Sequence, residues 1–151
     1  MRVSGDWDEQ RVRSYLEEAV VPVRLATHTP AGGPWLLSLW YRFRAGSLWC
    51  ATHAAADVVE YIDADDRVAF EVSTNDPPYR GVRGAGRASV EPDPEKELLR
   101  ALLDRYLGGA EGDLAEALLA PEREEVRIEI DPAKVYAWDF SDRMDEEKQH
   151  K

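Results

Sequence analysis

The sequence predicts a mainly β (α+β) fold, in which six or seven short antiparallel strands form a closed or nearly closed barrel with short capping helices. Three observations predict this fold. Several stretches alternate apolar and polar residues with the period of two that a half-buried strand requires. Turns rich in Gly, Pro, Asn or Asp separate these stretches. Helical periodicity is confined to a few segments between them.

The N-terminal half begins with a helix and continues with strands. Apolar residues recur at helical spacing from residue 8 to residue 19, which predicts a helix there. The period then changes to two, and turn residues at 29–34 and 45–46 divide the segment. The predicted strands are 21–27, 35–44 and 47–53.

The C-terminal half alternates helices and strands. Asp57 and Glu60 have the spacing of a capping box, which predicts a short helix with Asp57 as its N-cap. Asp93 is expected to cap the longest helix, which ends at Gly108. Glycines in the strand at 79–90 predict a bulge. The other predicted elements are a helix over 113–119 and strands over 67–74, 125–130 and 134–140.

The chain is predicted to form one domain. No repeat, low-complexity block or linker divides it, so we expect a single domain over residues 1–141. Residues 142–151 are almost wholly charged or polar, with Met144 as the one apolar side chain. Such a segment buries too little apolar surface to offset its ordering entropy, and we predict a disordered tail.

The composition is strongly acidic. Asp and Glu total 30 against 19 Lys and Arg, giving a net charge of −11. A chain of this charge repels phosphate backbones, which argues against nucleic-acid binding. The acids are dispersed and only four of the basic residues are Lys, a balance typical of a halophilic protein soluble in concentrated salt. A genome that favours Arg codons is the alternative explanation.

Compartment and membrane association follow from absent signals. No apolar run approaches the ~20 residues of a membrane-spanning helix, and no secretory signal follows the first residues. Cys50 is the one cysteine, so no internal disulfide forms. We therefore expect a cytoplasmic protein that does not bind membranes and in which Cys50 is a buried apolar residue.

One segment is basic against this acidic background. Residues 79–87 contain three arginines and no acid. Strand alternation places Arg83 and Arg87 on one face, with Arg80 at its edge and glycines that let a ligand approach. Two interpretations stay open: an anion-binding surface, and arginines that pair with the protein's many carboxylates.

Six short motifs, in their order and spacing, resemble the pyridoxamine 5'-phosphate oxidase-like family of FMN-binding split β-barrels. They are Ala26-Thr27, Leu39-Trp40-Tyr41, Leu48-Trp49-Cys50-Ala51-Thr52, Asp66-Arg67-Val68-Ala69, Arg83-Gly84-Ala85-Gly86-Arg87-Ala88 and Val135-Tyr136-Ala137-Trp138-Asp139. The resemblance covers roughly residues 21–140. It implies an antiparallel split β-barrel, a homodimer with flavin at the subunit interface, and an oxidoreductase of unknown substrate.

The resemblance also implies a site for the isoalloxazine ring. Two strands would form its floor, and Trp138, from the same chain or the partner, would cover it. The floor residues are Ser38, Leu39 and Trp40 on one strand and Ala51, Thr52 and His53 on the next. No residue is a convincing acid–base catalyst, so no catalytic residue is assigned.

The chain departs from the family at the residues that would contact the cofactor phosphate. The family's basic phosphate contacts fall on Leu36, Tyr41 and residues 56–58, and Asp57 is acidic. We therefore expect no true pyridoxamine phosphate oxidase activity. If FMN binds, we expect its phosphate at Arg83 and Arg87, with Arg80 at the edge.

Two alternatives to an FMN enzyme stay open. In the first, the barrel has lost its cofactor and acts as a non-enzymatic binding protein. In the second, a deazaflavin or haem occupies the same groove, and His53 is the one residue that hints at haem.

The strand at 35–44 is apolar on both faces. Trp35, Leu37 and Leu39 share one face, and Leu36 and Trp40 lie on the other. One small barrel cannot enclose both faces, so the pattern favours a homodimer independently of the resemblance.

Overall fold

The computed structural model describes residues 1–143, which contain eight strands and the four helices named here. The strands are β1 (Arg2–Gly5), β2 (Val23–His28), β3 (Pro34–Leu39), β4 (Tyr41–Arg44), β5 (Ser47–His53), β6 (Arg67–Ser73), β7 (Arg80–Pro92) and β8 (Glu125–Asp139). The helices are α1 (Glu9–Glu18), α2 (Asp57–Ala64), α3 (Glu97–Leu107) and α4 (Asp113–Leu118).

One segment joins the two ends of the sheet. The hydrogen-bonded order is β3-β2-β6-β7-β8-β5-β4, and these pairings are antiparallel. The end strands β3 and β4 follow one another in the chain with Trp40 alone between them. The continuous segment therefore bridges the two edges and rolls the sheet into a barrel. The predicted antiparallel split β-barrel with short helices is confirmed.

Strand boundaries differ from the prediction at three places. The predicted strand 35–44 is interrupted at Trp40, because its halves pair with different neighbours. The two predicted C-terminal strands are one continuous strand, β8. β1, which pairs parallel to β8, was not predicted, because its four residues carry no clear periodicity. The predicted bulge is confirmed between Ala85 and Gly86, where a Cβ on Gly86 would clash with the Asp131 carbonyl.

The barrel interior is filled by alternate residues of the strands. Leu25, Leu48 and Ile128 are fully buried there. Tyr41 is also fully buried, and its hydroxyl donates a hydrogen bond of 2.8 Å to the Leu16 carbonyl of α1. Such a bond satisfies a polar group that would be costly to bury alone. The interior is thus a packed core, and ligand space lies outside it.

Two predicted helix starts need correction. Asp8 caps α1, accepting a bond of 2.8 Å from the Arg11 amide. The prediction that Asp57 is the N-cap of α2 was wrong: Ala56 holds that position, and no side chain caps the helix. α3 begins at Glu97, although the Asp93 carboxylate still accepts from amides of its first turn.

Two further expectations concern membrane-spanning helices and the C-terminal tail. Within residues 1–143, no helix is both long and apolar enough to cross a bilayer. The predicted disordered tail, 142–151, falls outside the described residues except for its first two positions.

Candidate functional site

A groove of about 750 Å³ crosses the outer face of the barrel sheet. Its floor is a row of alanines, because strand register places Ala26, Ala69 and Ala85 side by side on β2, β6 and β7. Side chains on this face point away from the core, and methyl groups leave the space above the strands open. The floor is therefore flat and apolar, and the volume of the groove lies within the 300–1,000 Å³ range of small-molecule sites.

Three cations stand around this floor: Arg24, Arg83 and Lys134. The Arg83 guanidinium lies 4.5 Å from the Tyr136 ring centroid and 5.5 Å from that of Trp138. Among residues 1–143, no carboxylate lies within ion-pair distance of Arg83 or Lys134. Their charges are therefore available to an anionic ligand.

Arg24 is held at the opposite side of the groove. Its Nη2 donates to the Asn75 side chain over 3.3 Å, and its Nη1 is buried without a hydrogen-bond partner among the described residues. Register places Glu71 between Arg24 and Arg83, but the Glu71 carboxylate accepts a bond of 2.8 Å from Ser73 and pairs with neither arginine. A buried donor without a partner is costly, and a ligand oxygen would satisfy it.

The residues predicted to form the ring floor come together elsewhere. β3, β5 and Trp40, which follows β3, form a separate hollow of about 230 Å³ that contains Ser38, Leu39, Ala51 and Thr52. Residues of α3 and α4 line the other side of this hollow. Its volume is below the range of small-molecule sites, and Ser38 at its rim is exposed.

Aromatic stacking holds α3 beside this hollow. The Trp40 ring stacks on Tyr106 of α3 with centroids 5.2 Å apart and an interplanar angle of 8°. Tyr106 also donates to the Val21 carbonyl over 2.9 Å. His53 lines neither cavity, and its Nδ1 accepts a bond of 2.9 Å from the Ala55 amide.

The three predicted arginines do not meet at one place. Arg83 lines the groove, near Trp138 as described. Arg87 lies beyond the groove and pairs with Asp66 at 2.5 Å. Arg80 pairs in register with Asp139 at the far end of β7, and its Nε is buried. The ion-pair interpretation therefore applies to Arg87, and the anion-binding interpretation fits Arg83.

The start of α2 is acidic and lacks a side-chain cap. Asp57 and Glu60 both lie in its first turn. The expected capping bond from Asp57 is absent, so its carboxylate does not occupy the helix amides. The two negative charges still repel a phosphate there, in line with the expectation that an anion binds elsewhere.

Sequence reasoning missed Arg24, Lys134 and the alanine floor. These residues are far apart in the chain and meet only through strand register, which no local pattern contains. Cys50 is fully buried as predicted, and burial raises the pKa of its thiol, so it stays protonated and unreactive. Among residues 1–143, no group of three or more His, Cys, Asp or Glu side chains is placed to hold a metal ion.

This topology defines the class of split-barrel proteins. The family model described as pyridoxamine 5'-phosphate oxidase matches residues 8–137, and the chain belongs to that family. No curated protein matches the sequence.

Solved structures share the fold. A conserved hypothetical protein from Mycobacterium tuberculosis is 24% identical with a TM-score of 0.74, over 90% of this chain and 87% of that one. An F420 reductase is 26% identical with a TM-score of 0.69, over 81% of this chain and 94% of that one. A FAD-binding protein from Mesorhizobium loti is 23% identical with a TM-score of 0.62, over 85% and 92% of the two chains.

Proposed function

We propose that this protein is an oxidoreductase that binds a flavin-type cofactor in the groove on the outer face of its sheet. The observation that carries the proposal is the combination of a flat alanine floor with cations that have no carboxylate partner among the described residues. An isoalloxazine-type ring is flat and largely apolar, and its ribityl phosphate is anionic. The groove matches both parts.

Different residues would contact the ring and the phosphate of the cofactor. Ala26, Ala69 and Ala85 give the ring a surface to lie on and exclude water from one side of it. Arg83 is held by Tyr136, so its guanidinium is oriented before an anion arrives. The buried Nη1 of Arg24, which has no partner among the described residues, would donate to the same ligand. A flavin-type cofactor, when bound, supplies the hydride or electron transfer, and the protein positions it.

The comparisons support a flavin-type cofactor. The relatives named above include an F420 reductase and a FAD-binding protein. FMN is the smallest cofactor that we propose for this groove, because Arg83 and Arg24 offer its single phosphate two charged donors.

The test is a visible spectrum of the purified protein, followed by fluorescence titration with FMN, F420 and riboflavin in molar salt. We expect saturable FMN binding and weaker riboflavin binding, because riboflavin lacks the phosphate. Tighter binding of F420 than of FMN would replace FMN with the deazaflavin. Absence of binding by all three would leave the cofactor-less binding protein as the function.

We also propose a homodimer that covers the groove. Leu36 and Tyr136, at the edges of the groove, are 64% and 40% exposed. Apolar side chains of this size beside an apolar floor form a surface that a second copy would bury. Light scattering in molar salt should give about twice the 17.1 kDa chain mass, and a monomer would contradict this proposal.

A further inference from the structure

A second, smaller hollow adjoins the groove on the same face. It has a volume of about 290 Å³ and shares Ala85 and Lys134 with the groove. Four cations line it: Arg2, Arg67, Arg87 and Lys134. This concentration of positive charge stands out in a chain of net charge −11.

Two of these cations are already neutralised. Arg67 pairs with Asp65 at 2.8 Å, and Arg87 pairs with Asp66 at 2.5 Å. Hydrogen bonds from Arg67 hold the pKa of the Asp65 carboxyl well below its usual range, so this pair stays charged. Neither carboxylate is within ion-pair distance of the other two cations.

The remaining cations, Arg2 and Lys134, are neighbours. They are register partners on β1 and β8, so their side chains lie side by side on the outer face. Both residues are exposed, and no carboxylate within residues 1–143 lies within 4 Å of either charge. Like charges at directly opposite positions destabilise a strand pair. An anion between them would remove that repulsion.

We propose that Arg2 and Lys134 form a second anion subsite, which takes a second phosphate or carboxylate of a ligand whose first anionic group lies at Arg83. The inference rests on the proposed function and deepens it. Arg83 pairs in register with Tyr136, two residues along β8 from Lys134. With strands about 4.8 Å apart and a rise of about 3.3 Å per residue, Arg83 and Lys134 are roughly 8 Å apart at Cα.

This spacing selects a class of ligand. A single phosphate contacts one subsite, whereas a diphosphate or a longer anionic chain extends from Arg83 to Lys134 and Arg2. The ligand class is therefore a ring compound with an extended tail that carries at least two anionic groups. FMN binds the first subsite and leaves the second without an anion.

The first arm of the test compares FMN with FAD. Arg2→Glu changes a residue that lines the second hollow and not the groove. Arg100→Glu is the matched control, because Arg100 is exposed on α3, and the change in net charge is the same. We expect Arg2→Glu to raise the Kd of FAD at least tenfold and that of FMN less than threefold, and Arg100→Glu to change neither. Equal weakening of FMN and FAD, or no change in FAD, would overturn the second subsite.

The second arm needs no flavin. Tripolyphosphate should raise the Tm of the wild type and of Arg100→Glu, but not that of Arg2→Glu, relative to sodium chloride of equal ionic strength. If no flavin binds the wild type, the proposed function fails and this arm alone decides the subsite. The same shift in all three proteins, or none in any, would refute it.

Discussion

The groove and the hollow beneath α3 and α4 are two regions of the same barrel with similar strands and different surroundings. In both, small or polar side chains of the strands face outward. Residues of α3 and α4 line the hollow, whereas none of the four helices lines the groove. The fate of an outward-facing surface therefore depends on what packs against it, and an alternating pattern along a strand does not contain that information.

The hollow beneath α3 and α4 has a structural role. Leu99, Leu103 and Ala115 of the two helices form a buried cluster, against which Trp40 and Ala51 pack. Side chains that contribute to such a cluster stabilise the fold by removing apolar surface from water. The groove has no comparable packing partner within residues 1–143, and no carboxylate there lies within ion-pair distance of Arg83 or Lys134. We accordingly expect substitutions in the two regions to separate binding from stability.

The largest effect is expected from filling the groove. Ala69→Trp places a bulky ring on the alanine floor at an exposed position, so FMN should bind at least 100-fold more weakly. Ser38→Trp, an exposed position at the hollow, is the matched control and should change the Kd less than threefold. Fluorescence titration measures both. If Ser38→Trp has the larger effect, the cofactor lies at the hollow and the comparison is reversed.

The next effect is on stability. Trp40→Ala removes the stacking with Tyr106 and half-buried surface, so the free energy of unfolding should fall by about 2 kcal/mol, less than for a fully buried Trp. Denaturant titration measures the change. The Kd for FMN should stay within threefold of the wild type, and a loss of FMN binding without a loss of stability would contradict the structural role.

Arg83→Ala should raise the Kd of FMN about tenfold, which is the lower end of the effect expected for loss of a charge-assisted bond to phosphate. Riboflavin should be nearly unaffected, because it has no phosphate to lose. Calorimetric or fluorescence titration of both ligands measures the difference. Equal weakening of the two would mean that Arg83 supports the ring and not the anion.

The smallest effect is expected at the start of α2. Asp57→Ser removes one of two acidic charges in the first turn, and FMN binding should be unchanged or improve by up to threefold. Glu60→Gln removes the other acidic charge of the first turn and tests the same effect. A marked loss of FMN affinity in either variant would place the phosphate near this helix and away from Arg83.

The sequence patterns predicted local structure well and long-range structure poorly. The period of two predicted the bounds of β5 correctly. Together with the helical spacing of other segments, it also predicted the barrel class. The predicted N-cap of α2, Asp57, is one position too late. Capping-box spacing alone does not distinguish a helix that begins at one residue from one that begins at the next. The alanine row was not predicted, since its members meet only after β2, β6 and β7 pair. Arg83 was predicted as a candidate because it stands out by charge alone.

The position of β8 has a consequence for synthesis of the chain. This last strand inserts between β7 and β5 and also pairs with β1. A nascent or truncated chain that stops before residue 125 lacks all three pairings. Its β5 and β7 then present unpaired N–H and C=O groups, which are templates for pairing with other chains. Pairing of β8 thus removes the exposed edges of β5 and β7.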